Sequence, residues 1–201
     1  EGTEDAFATA SGMAAVNGAL TSLLKSGDHV VAARAAFGSC RWLTDNLLPK
    51  WGITTTTIDS RNNDEWLAAI QPNTKVFFFE TPANPTMDIV DMTYVCGLAK
   101  EHGITTVVDN AFATSVLQRP MDFGADVVAY SATKLMDGQG RVLGGVVLGT
   151  RLSRQPADRH IGVANRLDPL HPVLRRERVK PRKKVVEQGD QIGRAQLAGE
   201  R

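Results

Sequence analysis

One lysine follows an apolar run in a position that suits amine chemistry. Residues 127–130 are mainly apolar, Ser131-Ala132-Thr133 form a short polar turn, and Lys134 comes next. A lysine at a strand's carboxyl end, partly shielded from water, can have its pKa lowered enough to act as a nucleophile and proton carrier. The hydroxyls of Ser131 and Thr133 can donate to an oxyanion such as phosphate. An isolated Ser-x-Thr-Lys is more often a solvated turn, so the motif alone assigns no function.

A carboxylate ends another apolar run. Asp109 follows residues 105–108 directly. Burying a carboxylate is costly unless a cation meets it, and a protonated pyridine nitrogen is one such cation. Keeping that nitrogen protonated would make the ring a stronger electron sink for carbanions. The alternative is a helix cap, because aspartate is also a favoured N-cap. The residues alone leave both readings open.

Three further segments supply weaker signals. Ser11-Gly12-Met13 precedes a helical pattern, where a glycine and free first-turn amides suit a phosphate, although Ser11 could simply cap the helix. Phe37 could lie flat on a planar ring, or could be an ordinary core aromatic. Asn84 presents an amide between Pro82 and Pro85, or is merely a turn residue.

An alternating pattern of strands and helices positions these residues. The chain has seven short runs with strand character, residues 6–9, 29–33, 53–58, 75–79, 105–108, 127–130 and 145–148. Between them lie segments of helical composition, residues 13–25, 41–51, 64–70 and 92–102. This alternation predicts an α/β fold with a mainly parallel, doubly wound sheet. Ligands bind outside the carboxyl ends of such strands, where all the candidate residues fall.

Composition divides the chain at residue 150. Residues 1–150 carry a net charge of −6, whereas residues 151–201 carry +7 and contain no aromatic residue. We therefore expect one domain over 1–150 and a basic, poorly ordered tail over 151–201. No apolar run is long enough to span a membrane, and no signal peptide is recognisable. Cys40 and Cys96 make neither a disulfide framework nor a metal quartet, which favours a cytoplasmic protein without a metal site.

Two other classes of function are less favoured. The basic stretch 175–184 has the charge to contact nucleic-acid phosphates but no interleaved aromatics, which argues against nucleic acid as a partner. Gly138-x-Gly140 followed by Gly144 imitates the glycine-rich loop of nucleotide-binding oxidoreductases. That loop should follow a strand and open a helix, whereas this one precedes a strand.

The ordered set of motifs resembles the Cys/Met-metabolism family of pyridoxal-phosphate enzymes. The matching stretches lie within residues 1–150 and are Thr9-Ala10-Ser11-Gly12-Met13-Ala14-Ala15, Phe37-Gly38-Ser39-Cys40, Glu80-Thr81-Pro82-Ala83-Asn84-Pro85-Thr86, Val107-Val108-Asp109-Asn110 and Tyr130-Ser131-Ala132-Thr133-Lys134. The resemblance implies the large domain of fold type I, the aminotransferase-like fold, with a seven-stranded sheet flanked by helices. It also implies pyridoxal 5'-phosphate as the cofactor.

The same resemblance implies a role for each candidate residue. Lys134 would form the Schiff base with the cofactor, and Asp109 would pair with its pyridinium nitrogen. The phosphate would be bound at Ser11, Gly12, Met13, Ser131 and Thr133. Phe37 occupies the position of the aromatic that stacks on the ring, where most members have tyrosine, and Asn84 would contact the ring hydroxyl or the substrate carboxylate.

Residues 134–141 and the loop after Phe37 most resemble the branch that makes homocysteine from O-succinylhomoserine and sulfide. Leu135 departs from the aromatic or histidine expected after the lysine. The resemblance therefore implies γ-replacement on an activated homoserine ester, with cystathionine γ-synthase or γ-lyase chemistry as the alternative.

The resemblance begins partway into the family's chain and ends before its small carboxy-terminal domain. The Tyr-x-Arg motif that reaches the neighbouring subunit, and the arginine that binds the substrate carboxylate, have no counterpart here. We therefore expect low activity from this chain, although the full-length family implies a homo-oligomer. The tail is also what an out-of-frame translation of a GC-rich gene would give.

Overall fold

A seven-stranded sheet carries the fold. The computed structural model describes residues 1–149, and the predictions for residues 151–201 lie outside this part. The strands are β1 (Asp5–Thr9), β2 (His29–Ala33), β3 (Thr54–Ile58), β4 (Thr74–Glu80), β5 (Thr105–Asp109), β6 (Val127–Ser131) and β7 (Gly145–Gly149). The helices are α1 (Gly12–Leu23), α2 (Gly38–Trp42), α3 (Asn63–Ala68), α4 (Met92–Glu101) and α5 (Thr114–Leu117).

The strand order confirms the predicted α/β sheet. It is β1-β7-β6-β5-β4-β2-β3. All neighbours from β6 to β3 pair in parallel. The strand β7 runs antiparallel to both β1 and β6, so β1 points in the same direction as the parallel strands. The carboxyl ends of six strands therefore meet at one edge, where the candidate residues were predicted.

Both faces of the sheet are covered. On one face Val76 and Phe78 of β4 belong to a core cluster with α1. On the other, Phe77 and Phe79 pack with Trp66 of α3 and with α4, and the Trp66 ring centroid lies 5.0 Å from that of Phe77. Alternate side chains of a strand point to opposite faces, so burial on both sides explains why β4 is continuously apolar.

Helix α1 packs on β6 and β7 near the candidate site. Ser11 begins it, because its hydroxyl oxygen accepts a hydrogen bond from the Ala14 amide at 3.1 Å. Ala15, Val16, Ala19 and Leu20 are buried on one side of the helix. Full burial of one leucine contributes about 1.5–3 kcal/mol, so this apolar face fixes the helix on the sheet.

The helix predicted over residues 41–51 differs most from the structure. It begins earlier, at Gly38, and passes through a π-helical turn (Leu43–Leu47) into a 3-10 turn (Leu48–Trp51). Pro49 explains the altered end, since proline has no amide to continue an α-helical ladder. The other predicted helices are confirmed within two residues at each end.

Within residues 1–149, no helix combines the length and apolar character needed to cross a membrane. The same part of the chain contains no group of histidine, cysteine, aspartate and glutamate residues that could hold a metal ion.

His29 connects three strands through its ring. It is fully buried, with Nδ1 2.8 Å from the Thr74 hydroxyl of β4 and Nε2 2.8 Å from the Thr56 hydroxyl of β3. Burial lowers the pKa of His29 below its usual value of 6.5. The folded chain therefore holds a neutral imidazole at neutral pH.

We expect this histidine to make folding sensitive to mild acid. The unfolded chain binds the proton near pH 6.5, whereas the folded chain binds it only at lower pH. The contribution of His29 to stability is thus complete above pH 6.5 and is lost as the pH falls towards the folded pKa, by at most about 1.4 kcal/mol per pH unit. Urea unfolding of the wild type and His29→Gln between pH 7.5 and 5.0 measures it.

All other titrating groups are shared by the two chains, so the difference between their curves isolates His29. His102→Gln is the control, because His102 is exposed at the end of α4 and makes none of these contacts. Identical pH dependence in the wild type and His29→Gln would contradict the assignment.

Candidate functional site

The start of α1 and the end of β6 meet at the carboxyl edge of the sheet. Thr9 of β1 and Ser131 of β6 both pair with Gly145, from opposite sides of β7. This arrangement brings Gly12 against Ser131 so closely that a Cβ on Gly12 would lie 2.5 Å from the Ser131 Cβ and 2.9 Å from its Cα. Only glycine fits here without moving the helix away from the strand.

Several hydrogen-bond donors at this junction have no partner within residues 1–149. The Ser11 hydroxyl caps Ala14, and the Ser11 carbonyl accepts from the Ala15 amide at 3.0 Å, but nothing in the described part accepts from the amides of Gly12 and Met13. The Ser131 hydroxyl beside them is also unpaired in this part of the chain. Free amides at a helix start, next to a hydroxyl, form a place for an anion such as phosphate. The predicted residues thus fit a phosphate.

The turn after β6 carries Thr133 and Lys134. The Thr133 hydroxyl accepts from the Gly144 amide at 3.0 Å and donates to the Gly144 carbonyl at 3.2 Å, which fixes the turn (Ala132–Met136) against the chain that enters β7. Lys134 departs from helical geometry (φ −94°, ψ −126°) and interrupts the turn. Its side chain is exposed, so the shielding expected from the sequence is not supplied by residues 1–149.

Asp109 is a buried carboxylate at the end of β5. It is 8% exposed; Oδ1 accepts from the Ala111 amide at 3.0 Å, and Oδ2 accepts from the Cys40 thiol at 3.8 Å. No lysine, arginine or histidine within residues 1–149 pairs with it, and burial raises its pKa. Helix α5 begins only at Thr114, with Ala113 as its N-cap, so Asp109 is not a helix cap. Its environment suits a cationic partner.

A hydrogen-bond network fixes the backbone next to Asp109. The side-chain Nδ2 of Asn110 donates to the Tyr130 hydroxyl at 2.7 Å and to the Gln118 backbone carbonyl at 2.9 Å. The Gln118 side chain in turn donates to the Thr81 carbonyl at 2.6 Å. These contacts connect the carboxyl ends of β4, β5 and β6, which makes the edge rigid.

Phe37 and Asn84 lie in the loops that follow β2 and β4. Phe37 is 43% exposed and is therefore not a core aromatic. Asn84 is exposed as well. Both loops are attached to one buried side chain, because the Phe37 amide donates to Glu80 Oε2 at 2.6 Å and the Asn84 amide also hydrogen-bonds that carboxyl.

The sequence analysis predicted no role for two residues near the site, Glu80 and Cys40. Glu80 is 4% exposed at the end of β4 and is paired in register with Asp109. In the sequence, Glu80 shows the same pattern that drew attention to Asp109, because both are carboxylates at the end of an apolar run. Cys40 lies against Asp109 from 69 residues away, and no spacing in the sequence indicates that contact.

We expect Gly12→Ala to destabilise the fold by about 1–3 kcal/mol, the usual cost of overpacking, because the added methyl group overlaps the Ser131 backbone. Gly18→Ala in the same helix is the matched control. A Cβ at Gly18 meets nothing within 4 Å, so that change should stabilise the chain by about 0.5–1 kcal/mol. Urea unfolding measures both variants. Equal effects would show that the helix start is not in close contact with β6.

The chain is similar in sequence to enzymes of Cys/Met metabolism. The family model described as "Cys/Met metabolism PLP-dependent enzyme" matches residues 1–169, which extends past residue 150. An O-succinylhomoserine sulfhydrylase from Mycobacterium tuberculosis is 50% identical over 151 residues, 75% of this chain and 37% of the relative. An L-methionine gamma-lyase from Porphyromonas gingivalis is 41% identical over 150 residues, 74% of this chain and 38% of the relative.

A solved structure supports the same family. A Campylobacter jejuni protein described as an O-acetylhomoserine (thiol)-lyase, solved with N'-pyridoxyl-lysine-5'-monophosphate, matches with a TM-score of 0.73 and 35% identity, over 75% of this chain and 37% of that one. The likeness confirms the fold predicted from the resemblance. The chain spans somewhat more than a third of the length of these relatives. On the match across residues 1–169, the chain belongs to the Cys/Met metabolism family of PLP-dependent enzymes.

Proposed function

We propose that this chain binds pyridoxal 5'-phosphate at the carboxyl edge of its sheet. The observation that carries the proposal is the buried Asp109 carboxylate, which has no cation among residues 1–149, on the same edge as the unpaired amides at the start of α1. The phosphate would be held by the amides of Gly12 and Met13 and by the Ser131 hydroxyl. The ring nitrogen would pair with Asp109, and Lys134 would hold the cofactor covalently.

The remaining candidate residues would orient the cofactor. Ser11 uses its oxygen for the helix cap, which leaves its hydroxyl hydrogen to donate. Thr133 can turn its hydroxyl from the Gly144 carbonyl to a phosphate oxygen while it still accepts from the Gly144 amide. Phe37 would contact a face of the ring, and Asn84 would bind the ring hydroxyl or the substrate carboxylate.

When bound, pyridoxal phosphate supplies an electron sink for negative charge that develops at the α-carbon of an amino acid. Asp109 would maintain this capacity, since an ionised carboxylate beside the ring nitrogen keeps a proton on that nitrogen. A cation there also lowers the pKa of Asp109, against the effect of burial. The Lys134 amine, at the end of the adjacent strand, is the group on this chain best placed to carry protons.

The family acts on sulfur amino acids, and we infer a γ-replacement in which O-succinylhomoserine and sulfide give homocysteine. The support is the 50% identity to an O-succinylhomoserine sulfhydrylase. Elimination of the γ-lyase type is the second candidate, supported by the 41% identity to an L-methionine gamma-lyase. Assays that measure homocysteine from O-succinylhomoserine plus sulfide, and 2-oxobutanoate from methionine, separate the two.

We also propose self-association in the cytoplasm. Large apolar side chains are exposed in two segments that follow β5 and β6, including Val116 (87%), Leu117 (82%) and Leu143 (74%). Exposed apolar surface of this kind favours contact with a second copy. Cys40 and Cys96 are both free and buried, as is usual in a reducing compartment. We propose no nucleic-acid partner.

We expect pyridoxal phosphate to form a borohydride-reducible adduct at Lys134, because this residue lies in the turn fixed by Thr133 and Gly144 at the carboxyl edge of the sheet. Peptide mapping by mass spectrometry locates the adduct. Lys134→Ala should form no adduct and should lose all turnover in both assays. Lys100→Ala, which removes an exposed lysine of α4, should match the wild type. An adduct on another lysine would refute the assignment.

Asp109→Asn should weaken pyridoxal phosphate binding roughly ten- to a hundredfold, because it removes a charge-assisted hydrogen bond to the ring nitrogen. Folding should change much less, since asparagine keeps the shape and burial has already raised the pKa of Asp109. Absorbance titration with the cofactor and urea unfolding give the two quantities. Unchanged affinity would place Asp109 outside the site.

A further inference from the structure

Glu80 lies beside Asp109 on the same side of the sheet. The two residues are paired in register at the ends of β4 and β5. Val76, Phe78 and Glu80 are every second residue of β4, so their side chains point to the same face of the sheet. Because Val76 and Phe78 pack with α1, the Glu80 carboxyl also points to that face. Glu80 is 4% exposed, and no cationic side chain within residues 1–149 pairs with it.

The Glu80 carboxyl connects two loops of the candidate site. Oε2 accepts from the Phe37 amide at 2.6 Å, across 43 residues of sequence, and the Asn84 amide also hydrogen-bonds the carboxyl. The short Phe37 distance is typical of a charge-assisted hydrogen bond. Phe37 and Asn84 are the two residues for which we propose contacts with the cofactor ring. One buried carboxyl therefore fixes the backbone that carries both.

The surroundings of the Glu80 carboxyl disfavour its ionised form. Burial, and then the neighbouring charge of Asp109, raise the pKa of Glu80 to about 7, while the amides of Phe37 and Asn84 act in the opposite direction. Among residues 1–149, the titratable groups that face Glu80 are Asp109 on β5 and Cys40 on α2, and neither is a cation. Burial also raises the pKa of Cys40, which keeps it a neutral thiol. Neither neighbour compensates the charge of Glu80.

We propose that Glu80 is a positioning residue for the cofactor ring: its carboxyl holds the Phe37 and Asn84 loops in place beside Asp109. This inference rests on the proposed function. Without Glu80, the amides of Phe37 and Asn84 would lose their acceptor and the two loops would lose their common attachment. The ring of Phe37 and the amide of Asn84 would then be less well placed for the cofactor.

Cofactor binding should in turn act on Glu80. A pyridinium nitrogen next to Asp109 neutralises the charge that raises the pKa of Glu80, so that pKa falls. Binding therefore favours ionised Glu80. As the pH rises towards 7, the wild type should gain affinity relative to Glu80→Gln, which cannot ionise at that position, and the gain should level off above pH 7.

The test uses the full chain and four variants. Glu80→Ala should bind pyridoxal phosphate at least about tenfold more weakly and speed amide hydrogen exchange at Phe37. Glu80→Gln keeps an acceptor oxygen, so at low pH it should restore both properties. Glu65→Ala is the matched control, because Glu65 also accepts a backbone amide, that of Asp59 at 2.8 Å, but away from the site. It should leave cofactor affinity unchanged. Glu80→Met replaces Glu80→Ala if the latter does not fold.

Three results would overturn the proposal. These are wild-type affinity in Glu80→Ala, equal impairment of Glu80→Gln and Glu80→Ala, and a ratio of wild-type to Glu80→Gln affinity that stays constant between pH 6 and 8.5. A wild-type chain that binds no cofactor at all refutes the proposed function instead. Hydrogen exchange at Phe37 without cofactor then still shows whether Glu80 holds that loop, so the two failures are distinguishable.

Discussion

The burial of Asp109 with no cationic partner among residues 1–149 is the constraint on which the rest of the candidate site depends. Within the described residues this carboxylate accepts hydrogen bonds from one backbone amide and one thiol, which is less than a buried charge requires. A second carboxylate, Glu80, lies next to it in the sheet, although like charges directly opposite one another destabilise neighbouring strands. This excess of negative charge has no use in packing. It does suit a ligand that brings its own positive charge to the carboxyl edge.

The strand order arranges the site along that edge. The start of α1 meets β6, Lys134 follows β6, Asp109 ends the adjacent β5, and Glu80 ends β4. Phe37 follows β2, which is the next strand. These groups therefore lie in strand order along one edge, with neighbouring strands about 4.8 Å apart and Glu80 of β4 between Asp109 and Phe37. The row agrees with the proposed cofactor site, because parallel strands bring these groups to one edge of the sheet.

Local patterns predicted much of this arrangement. Runs of β-branched and aromatic residues predicted all seven strands, and the polar ends of these runs were the basis for proposing Asp109 and Lys134 as site residues. Contacts between residues that are distant in the sequence could not be predicted in this way. Nothing in the sequence places β7 between β1 and β6, and the close contact of Gly12 with Ser131 depends on that insertion. The early start of α2 at Gly38 and the contact of Cys40 with Asp109 are likewise products of tertiary packing.

The pair of acids also connects stability with binding. Without a ligand, folding must place Asp109 and Glu80 side by side, and burial raises the pKa of both. Any cation that binds only the folded chain removes part of this penalty and adds stability by mass action. Residues at functional sites often break the rules of stable packing in this way. Hydrogen bonds hold the two strand ends together against this repulsion: the Gln118 side chain donates both to Asn110, which follows β5, and to the Thr81 carbonyl, which follows β4. Rigid strand ends thus keep the negative charge concentrated where a cofactor ring can meet it.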